Sequence, residues 1–452
     1  MPTEPRTQNH RLAAVIAETG CTYDALAREI RTVAAEAGVD LHTARSAVHA
    51  WVSGTVPNRV TAAYIAEALS RKAKRTVTRA EIGLGCEASG EELAADPLAA
   101  AADLGRLVML HRRDFLAAAF ATAAVGLPLT YDHQAVAATL RAASSGGRAG
   151  TVEVTTVRQL TAAFRAADEN LGGGHGLSTA TTYLTETVVP MLRATYPSAT
   201  VRQDAFGAAA ELACLVGWKH HDLGREGFAQ QYYLLAYQFA LESGSVGRSA
   251  WMMRALTHQA LDLQHPLACV ELAEAAVQRA RGKVDQKTEA LLLVTSARAY
   301  SACGRPKQAA AALRLAQDAL VATDDAVPIY SAASGPVAST VASHTAKTLT
   351  QMHEHRAAEL HYRTALEGRT PDSYQRVHGL TLINLARSVS AQKRYEEAVS
   401  LFNRSLNCMT GVASARNHKE LGRICSTMAV WGRRGIPGAV ELGHRAAVLA
   451  RT

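Results

Sequence analysis

Small residues recur at a fixed spacing through the C-terminal half of the chain, and they leave few folds open. Ala229, Ala268, Ala309, Ala358, Ala398 and Ala439 stand 39, 41, 49, 40 and 41 residues apart. Seven residues after each lie Ala236, Ala275, Ala316, Ala365, Ser405 and Ala446. Twelve before each lie Gly217, Leu256, Ala297, Ala346, Ala386 and Thr427, mostly small. A seven-residue step stays on one face of a helix, so each unit reads as a helix pair. The first helix brings a small residue against two on the second. Stacked pairs of this kind build a curved solenoid with a concave inner face. The gap of 49 coincides with Asp324 to Pro336, where Pro328, Gly335 and Pro336 mark a loop insertion. Ahead of the first unit, Val157–Leu171 and Ser178–Tyr196 predict one more pair, joined by Gly172-Gly173-Gly174-His175-Gly176. The predicted fold is all-α. Apolar residues make up 48% of the chain and aromatics only 5%, which suits helices in close contact through small side chains and not a large β-structure.

A different pattern occupies the N-terminus. From Ala44 to Trp51 the chain holds no Gly or Pro, and Val48, Trp51 and Val52 fall at i, i+3, i+4 on one face. Arg45, Ser46, His49 and Ala50 fall on the other. Gly54 supplies the positive φ a helix stop favours, and Pro57 cannot continue the helix. One face is predicted to anchor in a core. The other offers a guanidinium, a hydroxyl and an imidazole, as a helix entering a DNA major groove must. Thr22 is a candidate N-cap for the helix before it, with Asp24 in its first turn. Leu12, Val15 and Ile16 predict an earlier helix, and Ala62–Leu69 a later one. The net charge is +8. Residues 1–80 hold eleven Lys and Arg against seven Asp and Glu, a modest excess in the direction phosphate binding asks for. Arg71-Lys72-Ala73-Lys74-Arg75 reads either as a solvated helix end or as a set of phosphate contacts, and both can hold.

The L-A-R at Leu26–Arg28, the helix carrying Ser46 and Val48, and Trp51-x-x-Gly54-x-x-Pro57 resemble the XRE-type (repressor-like) helix-turn-helix. They resemble in particular the actinomycete regulators that join such a domain to tetratricopeptide-like repeats. The resemblance extends to Phe164–Tyr196, with Gly172 to His175, and to Gly217-Trp218 through Tyr232-Tyr233. Arg28 to Leu41 is longer than the usual connection between the two helices, a departure that bears on where the recognition helix lies. The repeat period near 40 also exceeds the usual 34. The resemblance implies a helix-turn-helix domain over 1–84, a linker and apolar connecting helix over 85–150, and tetratricopeptide-like repeats over 151–452. It implies a cytoplasmic transcriptional regulator that binds double-stranded DNA as a homodimer, with a peptide or protein ligand in the repeat groove. The candidate DNA contacts are Thr22, Tyr23, Thr43, Arg45, Ser46, His49 and Arg59. The rival reading is a repeat-domain adaptor whose N-terminal helices bind protein.

Little else in the chain announces chemistry. The seven cysteines are widely spaced, none in C-x-x-C, and read as free thiols in a reducing compartment. No Cys/His cluster has zinc-ligand spacing, so neither metal nor cofactor is expected. Gly172–Gly176 lacks the Lys-Ser/Thr ending of a nucleotide loop and reads as a helix cap and turn. Lys219-His220-His221-Asp222 reads as a polar turn, and His353-Glu354-His355 as a solvated one. No catalytic triad or dyad stands out, so no enzyme is expected. Polar residues open the chain without an apolar core behind them, unlike a signal peptide. His111-Arg112-Arg113 and the apolar run to Leu129 mimic a twin-arginine signal, but far inside the chain, and the run is shorter than the ~20 residues that span a bilayer. It reads as a buried helix or packing arm. The acidic, Ala-rich Cys86–Asp103 and the Ser144–Gly150 stretch read as linkers.

Overall fold

The computed structural model describes residues 8–36, 39–75, 77–84, 96–101, 104, 147–321, 327–332 and 335–451. Among these the regular structure is helical, apart from an isolated parallel bridge between Arg148 and Thr195. The apolar arm from Arg106 to Leu129 and the His111-Arg112-Arg113 motif lie outside the described residues.

Four helices form the N-terminal body: α1 (His10–Glu18), α2 (Tyr23–Glu36), α3 (Arg45–Val52) and α4 (Arg59–Ala73). Short polar side chains start them. Asn9 Oδ1 accepts from Leu12 N–H, the Thr22 hydroxyl from Ala25 N–H, and Asn58 Oδ1 from Thr61 N–H. Leu12, Leu26, Ile30, Val48, Trp51 and Ile65 share one core, which runs on to Ile82 and Leu84. Asn9 Nδ2 donates to Ile82 O at 3.0 Å and ties that last turn to the first helix. Phe228 of the repeat body is buried in the same cluster.

The repeat body begins with α5 (Thr151–Leu171). A broken helix follows: α6 (Leu177–Thr182), a π-helical turn (Tyr183–Val188), then α7 (Val189–Leu192), in which Pro190 withholds an N–H. Six helix pairs complete it. They are α8 (Ala199–Asp222) with α9 (Glu226–Glu242), α10 (Val246–Asp262) with α11 (Pro266–Ala280), and α12 (Gln286–Ala302) with α13 (Pro306–Val321). Beyond a short inserted α14 (Ile329–Ala332) come α15 (Val337–Gln351) with α16 (His355–Glu367), α17 (Pro371–Ala391) with α18 (Tyr395–Met409), and α19 (Ala415–Arg433) with α20 (Ala439–Leu449). This is a helical solenoid. The repeating alanines sit near the start of each second helix, and Ala229, Ala309, Ala358, Ala398 and Ala439 are all fully buried.

The second unit corrects the predicted register by one residue. There Ala268 and Ala275 are only half-buried, whereas Cys269 and Ala276 face the partner helix. Twelve residues before Cys269 stands Thr257, fully buried, in place of the predicted Leu256. The cysteine is the reason: it packs as a small residue, its thiol reaching His265 O at 3.1 Å, so an alanine search passes over it. With this shift every first-helix position is small, from Gly217 to Thr427.

Two predicted linkers dock onto the repeat body. Leu98, Ala101 and Leu104, at the end of the acidic stretch, are buried in its core. Gly147 to Ala149 are not free chain either. Thr195 N–H donates to Gly147 O at 2.6 Å and Ala149 N–H to Thr195 O at 3.1 Å.

The solenoid also closes on itself. α17 packs against α5. Gly174 N–H donates to Ala413 O at 3.2 Å, and Ala413 N–H to Leu171 O at 2.9 Å. Gly172 makes this seam possible. Its φ is +86°, and a Cβ there would lie 2.5 Å from Ala413 O. The glycine loop is thus a cap and turn, and the N–H groups of Gly173 and Gly174 are occupied by Asp222 Oδ2 and Ala413 O.

Candidate functional site

Helix α3 is too short to hold itself together in water, where helices under ~12–15 residues are marginal. Its N-cap, Ala44, offers no side-chain bond. Packing holds it. Val48, Trp51 and Val52 are buried, Asn9 N–H donates to Val52 O at 2.8 Å, and Gly54 at φ +99° ends the helix. That anchoring turns Arg45, Ser46 and His49 outward, all three exposed. Tyr23, half-buried at the head of α2, meets the His49 ring edge-on at 6.3 Å. Thr22 is exposed but spends its hydroxyl as a helix cap. Thr43 has to be set aside as a contact. It is 4% exposed, and its carbonyl accepts from Arg31 Nη1. Arg59 opens α4, and its side chain lies outside the described residues.

The basic cluster after α4 is not a free phosphate-binding patch. Arg71 is buried between Glu36 and Glu67, at 2.6 and 2.7 Å. Lys72 pairs with Glu29 at 2.7 Å, and Arg75 with Glu18 and Glu81, both at 2.7 Å. These cations brace α4 against α1, α2 and the 77–84 turn. Arg28 on α2 and Arg45 on α3, by contrast, are exposed and have no carboxylate partner among the described residues.

A second site lies inside the ring. The inner faces of α5, α8, α10, α12, α15, α17 and α19, with Tyr233 of α9 and Tyr330 of α14, line a cavity of about 220 Å³. An ionic network supports its wall, and Lys219 to Asp222 belong to it. Those four residues are not a polar turn: each is at most 2% exposed, in the last turn of α8. Arg376, buried on α17, reaches Asp168 at 2.8 Å and Asp222 at 3.3 Å. Lys219 Nζ stands 3.5 Å from Asp168 and donates to His175 O at 2.9 Å. Trp218 Nε1 donates to the same Asp168 at 3.1 Å, while Arg376 and Arg416 each lie 5.4 Å from its ring centroid. Asp262, on α10, gathers Arg416, Arg298 and His221 at 3.0, 3.2 and 3.3 Å. These contacts join residues up to 208 positions apart and lock the first helix of the body to its fifth pair. No sequence period connects such positions; only the tight glycine loop hinted at the seam.

His221 makes stability depend on pH. Burial opposes its charge, but Glu226 at 2.8 Å and Asp262 outweigh it and push the imidazole from 6.5 up to about 9. A base whose pKa rises on folding stabilises fully below its unfolded value, near 6.5. That contribution disappears as pH climbs through about 9. Lys347 acts oppositely in the same window, so the measurement is a difference. The stability gap between the native chain and His221→Gln, from urea melts, is expected to be widest near pH 6 and to narrow steadily to pH 9.5. A gap constant with pH rules out the charged imidazole.

Among the described residues no group of His, Cys, Asp and Glu is placed to hold a metal ion. None of the described helices is long and apolar enough to cross a membrane. The family described as SP15 N-terminal domain matches residues 12–85, which spans the N-terminal core from Leu12 to Leu84. That match covers about a sixth of the chain and leaves the repeat body outside it. No curated protein matches the chain.

Proposed function

We propose that the chain is a DNA-binding transcriptional regulator of the XRE type. In this reading α3 is the recognition helix, and the tetratricopeptide-like body holds two copies together and answers to a ligand. The observation that carries it is the two-sidedness of α3. Three apolar residues fix it in the core, while Arg45, Ser46 and His49 stand exposed on small neighbours. Arg45 occupies the first turn, where side chains of a major-groove helix reach base edges. Backbone affinity falls to Arg28 and Arg45 together with helix N-termini, since Arg71, Lys72 and Arg75 are tied to carboxylates.

Gel shifts with genomic fragments across a salt series test the reading. A protein contacting several phosphates loses decades of affinity between low and moderate salt. Within that assay Arg45→Ala is expected to cost about 1–3 kcal/mol of discrimination between operator and bulk DNA, leaving most low-salt binding intact. Unchanged preference would mean that α3 does not read bases.

The pairing of Arg71, Lys72 and Arg75, which leaves Lys74 as the exposed cation of the cluster, favours one alternative, an adaptor whose N-terminal body docks protein. Binding that is absent at low salt would select it.

A further inference from the structure

The cavity within the ring is rich in donors and poor in acceptors. Seven Arg and Lys residues line it against four Asp and Glu. The four carboxylates already have cations. Asp168 and Glu169 face Arg376, Glu211 pairs with Arg248 at 3.2 Å, and Asp262 serves Arg298 and Arg416. Arg165 and Arg369 lend their charge to Glu169, and two further cations, Arg254 and Lys347, pair with none of the four carboxylates. Arg254 lies over the Trp251 ring at 4.4 Å, and among the described residues its two hydrogen bonds, to Leu291 O and Thr295 Oγ1, both run from Nε. Its Nη atoms remain for the cavity. Lys347 has neither a hydrogen bond nor an ion pair among the described residues. Arg298, which only donates, gives Nη1–H to Nδ1 of both His258 (2.8 Å) and His344 (3.2 Å). Each imidazole must therefore carry its own proton on Nε2, and His344 turns one more donor loose. Cations without counterions at this depth are costly unless a ligand supplies the charge.

We propose that the cavity binds a small phosphate monoester, its phosphoryl oxygens held by Arg254, Arg298 and Lys347 and its organic part set against Trp218, Tyr233 and Trp251. Two cations without a carboxylate partner match the near-double negative charge of such a group at neutral pH better than a carboxylate does. The size agrees: a cavity of ~150 Å³ takes benzene, and this one is about 220 Å³. Burial, then repulsion from Arg298, pushes Lys347 down to about 7 and Arg254 to about 9, so at pH 7 Arg254 keeps its charge and an incoming dianion draws a proton back onto Lys347. The assignment names a ligand class for the sensor role proposed above.

Calorimetric titration of the full chain at pH 7, without DNA, tests it with three probes: phenyl phosphate, inorganic phosphate and benzoate. The expected order is phenyl phosphate tightest, at one per chain. Lys347→Gln and Arg254→Gln should each weaken it about 10- to 100-fold, the worth of one charge-assisted hydrogen bond. Lys347→Gln should at the same time raise the melting temperature of the unliganded protein, because it removes an uncompensated charge. A misfolded variant cannot do both. Silence with all three probes, tighter binding of benzoate, or binding indifferent to both substitutions would overturn the proposal. DNA is left out of these titrations, so such a result leaves the operator-binding reading to its own assay.

Discussion

Arg376→Met is expected to destabilise the repeat body by about 3–5 kcal/mol, the cost of removing one partner from a buried ion pair. Methionine keeps an unbranched apolar stem and deletes the guanidinium with its charge. Asp168 and Asp222 are then left within a wall that is 1% exposed or less at both positions. Asp168 retains Lys219 and the Trp218 N–H; Asp222 retains the Gly173 N–H at 3.0 Å. Neither compensates for the lost guanidinium, which also lies over Trp218. The damage is located at the seam between α5 and α17, so the ring should open there. Urea unfolding followed by far-ultraviolet dichroism reads the stability, and small-angle scattering reads the ring. Adding Asp168→Asn and Asp222→Asn to Arg376→Met should recover much of the loss, because no uncompensated charge then remains. A single variant within about 1 kcal/mol of the native chain would show that the network positions the cavity without holding the ring.

Legibility differed between the two halves of this structure for a physical reason. Helix pairs are local: a small residue on one helix meets partners 12 and 19 positions later, and periodicity exposes that in a single chain. Gly217, Ala229 and Ala236 sufficed to place α8 against α9. Periodicity of alanines hides a position where chemistry substitutes for size, as at Cys269, which packs like an alanine. Lys219 to Asp222 are hidden for another reason. A run of four polar residues looks like a turn unless their partners are known, and those partners are Asp168, Glu226, Asp262 and Arg376. The basic cluster misled in the same manner. Arg71 and Arg75 look free in sequence, and only the fold brings Glu36 and Glu18 to them. The outward residues of α3 were the easier reading, because eight helical residues with three apolar ones on a single face leave the rest nowhere else to point. Thr43 lies one residue before the cap, outside the helix, where periodicity carries no information about burial.

Trp51→Ala should unfold the N-terminal body while the ring remains intact. Trp51 is the largest side chain on the buried face of α3, and α3 depends on that face because its cap and length contribute so little. Truncating a buried Trp costs ~3–5 kcal/mol, set against ~5–15 kcal/mol for a typical domain. The core it leaves would be built from α1, α2 and α4, and the carbonyl of Val52 would no longer be held against Asn9. The other tryptophans, Trp218, Trp251 and Trp431, all lie in the repeat body, so their fluorescence reports that body alone in the variant. The expected result is a loss of helical dichroism at 25 °C and new protease cleavage before residue 85, with the tryptophan melting curve of the ring lowered at most slightly. Trp51→Phe, which keeps an aromatic anchor, should lose far less. Phe228 supplies an internal control, since it belongs to α9 and is buried in the same core. When the N-terminal body melts, Phe228 becomes solvated, so a small drop in ring stability is acceptable and a joint collapse is not. Should both bodies melt together in a single transition, the N-terminal helices and the ring form one cooperative unit, and α3 cannot be loosened without the rest.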